Sequence, residues 1–421
     1  MRVPLLTRRQ ALMAALAAGV AAPALARATR PALRVGAILP LAGRGLPLVG
    51  VNLSFPAEAA RKGLLITSDD LERATPMGTE PHRLLLANAP EAASARRAAE
   101  RLVERDRATV LIGGFSAKDA RAIGAVARDA GALFINIAAP ADGLRAEFCG
   151  GRTLHLEAPA STYLSALSEL YRGQGRNRWH LIHQDDSAHV DLLAQAQADL
   201  RRAGAEVTGT SIVSRDSTLF RSALSDLQDS GAEAVLLLTD WLVQLNLLAT
   251  AEGEGATVPI TGFPWAATQT REFYNRCRQL APNVGGAPRL ALWEARLDTA
   301  EAAALNADFL ARWRIPMDPS AWAAQTALRL VAEATEATGS TSGTDLAAWL
   351  SDPVQRPSIG KDTVFNPSDG QLRQPLYAVR VNPAATKELT PQAITEWAEL
   401  LAQLNPAPAP TGKCGSPAQS G

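Results

Sequence analysis

Arg83-Leu84-Leu85-Leu86-Ala87, Val110-Leu111-Ile112-Gly113-Gly114-Phe115-Ser116 and Gly131-Ala132-Leu133-Phe134-Ile135-Asn136-Ile137 are short apolar runs separated by two helix-like stretches, and this segment decides the fold. From Glu91 to Asp106 the residues Ala95, Ala98, Ala99, Leu102 and Val103 share one face while Arg and Glu fill the other. That spacing predicts a helix laid on a sheet. The stretch from Ala117 to Ala130 is again helical and stops at Gly131, in the way a C′ glycine ends a helix. The order is β-α-β-α-β, which builds a parallel sheet flanked by helices.

Outward from this segment the same alternation continues. Upstream, Leu33 to Leu39 is strand-like and ends in the turn-rich tip Pro40-Leu41-Ala42-Gly43. A second series begins near Pro159. It reads as a helix from Ser161 to Gly173, a strand from Trp179 to His183, a helix from Asp191 to Ala203 and a strand from Glu206 to Val213. A helix from Phe220 to Ser230, a buried strand from Ala234 to Leu238, a helix from Trp241 to Ala251 and a strand from Val258 to Thr261 follow. Past Leu290-Ala291-Leu292 the chain turns helical, from Thr299 to Trp313, Pro319 to Thr338 and Leu346 to Trp349. Thr363-Val364-Phe365, the turn from Asn366 to Gly370 and a last strand from Leu376 to Val381 close the fold. The Pro, Ala and Ser tail, residues 405–421, has too few apolar groups to order itself.

The N-terminus reads as an export signal: Thr7-Arg8-Arg9-Gln10, an uncharged run from Ala11 to Ala26, and a small-residue exit at Ala24-Leu25-Ala26. The paired arginines point to the twin-arginine route, with cleavage after Ala26. A periplasmic location is therefore expected. Lys plus Arg equals Asp plus Glu at 42 each, so no net field draws the chain to nucleic acid or an anionic membrane. About 395 residues remain after cleavage, more than one core usually serves, and two lobes are expected. Three cysteines, Cys149, Cys277 and Cys414, allow at most one disulfide. A Cys149–Cys277 bridge is one option, and Cys414 reads as an incidental tail thiol.

Val35 to Gly43, Val110 to Ser116, Gly131 to Asn136, Trp179-His180-Leu181-Ile182-His183, and Thr363 to Asn366 with Asp369-Gly370 together resemble the extracytoplasmic solute-binding proteins of ABC transporters typified by the leucine/isoleucine/valine-binding proteins. The resemblance implies a type I periplasmic binding protein: α/β, with two Rossmann-like lobes whose parallel sheets are flanked by helices. Three hinge crossings would join them, near Leu154 to Pro159, Gly285 to Trp293 and Pro357 to Thr363. Residues 27–157 with 286–357 would form the N-terminal lobe, and 158–285 with 358–400 the C-terminal lobe. Asp369 to Leu376 and Trp293 to Leu297 further resemble the subgroup associated with pyrroloquinoline-quinone-dependent alcohol oxidation systems. The implied partners are a small organic solute and an ABC permease, and a monomer is expected.

Open α/β sheets bind ligands beyond the carboxyl ends of their strands, where loop tips and helix N-termini present free N–H groups. That rule selects Phe115, Ser116, Ala117, Asn136, Ala138, Ala139, Asp185, Asp186, His189, Asp240, Trp241 and Trp265. In amino-acid-binding relatives, hydroxyls and backbone N–H groups hold the solute carboxylate, and an acid with aromatics holds the ammonium. Here the family's carboxylate-binding Ser falls on Ala117, its Thr on Pro140, its Tyr on Ala188 and its acid close to Pro264. An unpaired ammonium in a dry cleft is costly, so a standard amino acid is not the expected solute, although Asp240 could replace the acid. Aromatic walls at Phe115, Trp241 and Trp265 suit an apolar, planar or cationic solute.

Other chemistries lack their residues. His180 and His183 sit at i and i+3 on a strand, hence on opposite faces, and cannot share a metal. Gly113-Gly114-Phe115-Ser116 lacks the Lys-Ser/Thr ending of a phosphate loop. No nucleophile elbow or zinc-protease motif occurs. Neither a catalytic role, a cofactor nor a metal is expected. The alternative to transport is a ligand sensor read by a signalling partner.

Overall fold

The computed structural model describes residues 32–41, 54–76, 80, 82–214, 220–355, 364–386 and 388–407. The export signal, the whole of the crossing expected at Pro357 to Thr363, and the tail beyond residue 407, with Cys414, lie outside the described residues.

In the first lobe, strands β1 (Arg34–Leu39), β2 (Arg83–Asn88), β3 (Val110–Gly113), β4 (Leu133–Asn136) and β5 (Thr153–His155) alternate with helices α1 (Ser54–Ala74), α2 (Ala92–Glu104), α3 (Ala117–Ala130) and α4 (Gly143–Glu147). The strands pair in parallel in the order β2-β1-β3-β4-β5. Every residue of β3 and β4 is buried, as helices on both faces require. Gly131 ends α3 at φ 72°, a left-handed turn that any side chain would strain.

The second lobe repeats the design. Helices α5 (Ala160–Arg172), α6 (Ser187–Arg202), α7 (Phe220–Ser230), α8 (Trp241–Gly253) and α9 (Arg271–Leu280) surround β6 (Arg178–Gln184), β7 (Glu206–Val213), β8 (Ala234–Leu238) and β9 (Ile260–Gly262). These strands run parallel in the order β7-β6-β8-β9. The second strand lies outside the first in both sheets, so each has its topological switch point beside its opening strand.

Beyond β10 (Arg289–Ala291) come α10 (Ala300–Trp313), α11 (Pro319–Thr338) and α12 (Gly343–Ser351), then β11 (Val364–Phe365), β12 (Leu372–Arg373), β13 (Leu376–Val381), α13 (Pro391–Thr395) and β14 (Ala398–Leu404). Helix α11 packs along α1. Strands β10, β13 and β14 form an antiparallel sheet that rests on α9. The hairpin β11–β12 lies beside β5 through a bridge between His155 and Gln371.

Several elements depart from the expectation. Helices α1, α4, α9 and α13 and strands β5 and β12 fall where no regular structure was expected, and β13 is not the last strand, since β14 pairs with it. The Cys149–Cys277 option is also corrected. Cys277 is buried and free, whereas Cys149 is disulfide-bonded.

Candidate functional site

Four helices that follow sheet strands have their starts fixed by a side chain. Ser116 Oγ accepts from Asp119 N at 3.1 Å, Asp186 Oδ1 from His189 N at 3.2 Å and Thr270 Oγ1 from Phe273 N at 3.3 Å. Asp240 Oδ1 accepts from both Leu242 N at 2.9 Å and Val243 N at 3.0 Å. These caps satisfy helix N–H groups that would otherwise be orphaned. Ser116, Asp186 and Asp240 thus hold their own loops in shape.

The loop after β4 closes on itself. Asn136 is fully buried; its Oδ1 accepts from Ala139 N at 3.0 Å and Ala138 N at 3.4 Å, and its Nδ2 donates to Ala139 O at 2.8 Å. The N–H groups of Ala138 and Ala139 are therefore bonded within the protein. Pro140 supplies no N–H, and its carbonyl accepts from Ala160 N at 2.8 Å. Arg145, also buried, donates through Nη1 to Ala139 O at 3.2 Å and to Ala141 O at 2.9 Å. Phe115 is buried at the tip of β3, and Ala117 opens α3.

The second lobe presents the aromatic surface. His189 Nδ1 lies 2.6 Å from Asp186 Oδ2. Burial would raise the Asp186 carboxyl, but the hydrogen bond and charge of His189 outweigh it and hold the group below its ordinary value. The His189 ring meets Trp265 edge-on at 5.8 Å, and Trp265 leans on Phe263 at 4.5 Å. Trp265 Nε1 donates to Thr239 O at 2.9 Å, which fixes the indole plane. Asp185 is exposed beside this group.

Across the lobes, Phe55 of α1 meets Trp241 of α8 edge-on with centroids 5.6 Å apart. The Arg276 guanidinium lies 5.8 Å from the Phe55 ring and 5.7 Å from the Trp241 ring. The structure therefore brings Asp186, His189 and Trp265 together and places Trp241 in a contact between the lobes. Phe55 and Arg276 were not selected from sequence, because neither follows a strand end.

Two buried glutamines also escaped sequence reasoning. Gln244 and Gln269 are 0% and 1% exposed and bond to the loops that carry Thr239 and Trp265. Nothing in a helix-face position or a loop glutamine marks such a role. The stretches that carry the narrower resemblance line the crossings. Gln371 Nε2 donates to His155 O at 3.3 Å and Glu157 O at 3.1 Å. Glu294 pairs with Arg271, and Trp293 stacks on Trp322 at 5.6 Å.

A groove of about 630 Å³ lined by Asp69, Glu72, Arg73 and Arg312 lies on α1 and α10. Its lining is wholly charged, and Arg312 pairs there with Asp69 at 2.5 Å. Among the described residues no group of three or more His, Cys, Asp or Glu could hold a metal. His180 Nε2 instead meets Ser211 Oγ at 2.8 Å, and His183 Nδ1 meets Gln184 O at 2.8 Å. No helix among the described residues is long and apolar enough to cross a membrane.

Residues 88–387 match the family model described as periplasmic binding protein. The chain belongs to the periplasmic binding protein family. A search of curated proteins by sequence finds no match, so further likeness is structural. A branched-chain amino acid ABC transporter periplasmic ligand-binding protein from Burkholderia xenovorans is similar at TM-score 0.75 and 16% identity, over 89% of this chain and 96% of that one. A branched-chain amino acid transporter substrate-binding protein from Streptococcus pneumoniae, in complex with isoleucine, is similar at TM-score 0.72 and 17% identity, over 88% and 99%. A solute-binding protein of an ABC transporter from R. palustris, in complex with benzoate, is similar at TM-score 0.70 and 18% identity, over 91% and 100%. This periplasmic binding protein thus has the type I fold of its family, with parallel sheets flanked by helices, and a family implying a periplasmic location and solute binding.

Proposed function

We propose that this protein is the substrate-binding component of an ABC transporter, which holds a small organic solute between its lobes and delivers it unaltered to a membrane permease. The carrying observation is the wall made by His189 and Trp265, with ring centroids 5.8 Å apart. An aromatic platform beside a polar ring suits a planar organic solute better than an aliphatic amino acid. Supporting this, Ala138 and Ala139 N–H are bonded to Asn136, and Ala117, Pro140 and Ala188 lack the groups that grip an α-amino acid. The benzoate-bound neighbour is an example of an aromatic solute on this fold.

The lobes we infer are residues 27–157 with 286–357 and 158–285 with 358–400. Pairing of β10 with β13 draws Arg289–Ala291 toward the second lobe, and the His155–Gln371 bridge draws residues 364–373 toward the first. Export by the twin-arginine route with cleavage after Ala26, and action as a monomer, belong to the same proposal. The disulfide at Cys149 suits an oxidising compartment.

A thermal-melt panel of amino acids, short alcohols, aldehydes, acids and aromatic solutes tests the reading. A bound solute at a hundredfold excess over its Kd adds about 2.7 kcal/mol of stability. Stabilisation by an aromatic solute and not by leucine or isoleucine is expected. Micromolar binding of a branched-chain amino acid would overturn the solute class.

A further inference from the structure

Gln244 and Gln269 hang from different elements yet do the same thing. Gln244 Nε2 donates to Thr239 O at 3.1 Å and to Phe263 O at 3.0 Å. Gln269 Nε2 donates to Pro264 O at 2.6 Å. The oxygen ends point to a single segment, the passage through β10: Gln244 Oε1 accepts from Arg289 Nη1 at 3.1 Å, and Gln269 Oε1 accepts from Leu292 N at 2.7 Å.

The amide orientations are forced. Each oxygen end meets only N–H donors, and each nitrogen end meets carbonyl or hydroxyl oxygens, so flipping either amide would set like against like. Gly262 leaves the space for one of them, since a Cβ there would lie 1.9 Å from Gln244 Oε1. Thr239 O also receives Trp265 Nε1, so the indole rides on the carbonyl that Gln244 holds. Gln269 Nε2 further approaches Tyr163 Oη at 3.4 Å, and Tyr163 bonds Glu157 in the first crossing.

We propose that Gln244 and Gln269 are positioning residues, which fix the wall from Thr239 to Trp265 to the crossing at Arg289–Leu292 and thereby set solute affinity without touching solute. This rests on that wall facing the solute. Buried carbonyls need their donors, and a wall carbonyl that loses its amide moves or recruits water. The indole plane then changes with it. The wall and the hinge consequently move as one unit when the lobes open.

The test uses the full chain, with Gln244→Met and Gln269→Met as variants and Leu346→Ala in α12 as a destabilised control. Two readouts are taken: Trp265 emission without solute, isolated by subtracting the matching Trp265→Phe protein, and the Kd of the best solute from the panel. Both glutamine variants are expected to shift Trp265 emission to the red and to weaken binding tenfold or more, while the control melts earlier with neither change. Earlier melting with unchanged emission and affinity would overturn the proposal. Should Gln244→Met not fold, Arg289→Met leaves Gln244 in place, withdraws its donor and is read in the same way. If no solute binds at all, the transport reading fails, and the emission shift alone still decides the relay.

Discussion

Tyr163 donates its hydroxyl to Glu157 Oε1 at 2.6 Å, and both residues are buried where the chain first passes between the lobes. Arg145 Nη2 reaches Glu157 O at 2.5 Å, and Arg145 Nε reaches Gln371 Oε1 at 2.9 Å. The segments before α5 and after β11 are thereby tied through one buried network.

Burial pushes the Glu157 carboxyl up to about 7, although Tyr163 and Arg145 both pull it down. Asp318, half-buried at the start of α11, is pushed up to about 6, with desolvation again the largest cause. A carboxyl whose folded pKa exceeds its unfolded value binds more protons when folded. Its contribution is complete below the ordinary carboxylate range and is lost as pH rises through the folded value. These two carboxyls make the melting temperature fall as pH rises from about 5 to about 7, against the rise that His82, His155 and His180, all held below their ordinary value by burial, contribute at the acid end of that window. Glu157→Gln should flatten the upper part of that fall, and calorimetry across the window checks it; an unchanged slope would contradict the assignment.

Arg271 and Glu294 form a buried two-pronged ion pair, with Nη1 to Oε2 at 3.1 Å and Nη2 to Oε1 at 2.5 Å. Asp318 Oδ1 accepts from the backbone Arg271 N at 3.0 Å, so the start of α11 is also tied to the start of α9. Removing one partner strands a charge and costs about 3–5 kcal/mol, whereas replacing both with apolar residues costs far less. Urea unfolding of Glu294→Leu against Arg271→Met/Glu294→Leu should therefore find the double variant more stable than the single one.

Burial pushes the Cys277 thiol up to about 11. In the native protein it should resist alkylation, since the thiolate is the reactive form. Denaturation without reductant should expose Cys277 and leave Cys149 unlabelled. Peptide mass mapping reads both outcomes, and labelling of Cys149 before reduction would contradict its disulfide.

Most of the fold was legible because period and punctuation agree: β3, α3 and Gly131 are where apolar runs, helical spacing and a terminal glycine put them. Helix α1 was not, since its inner face is built from Ala57, Ala59, Ala60 and Leu64, small residues that mark a face weakly. Strand β14, Ala398–Leu404, is made of helix-favouring Ala, Glu, Leu and Gln, and pairing with β13 overrides that preference. At the site, strand ends named His189 and Trp265, because topology alone carries that rule. Phe55, Arg276, Gln244 and Gln269 arrive from other elements, and only the packed structure joins them.

The aromatic wall gives the mutational prediction. Trp265→Ala and His189→Ala should each weaken the bound solute tenfold or more, about 1.4 kcal/mol, while Asp185→Asn on the exposed rim should matter little. Titration calorimetry with one solute across the three variants measures the difference. Equal affinity in all three would place the solute elsewhere.

Small-angle scattering of the full-length protein, titrated with each solute that raises its melting temperature, tests solute-driven lobe closure most directly. One small organic solute should contract the particle at stoichiometric occupancy and be recovered chemically unchanged. Scattering that no solute alters, or recovery of a converted product, would contradict the account.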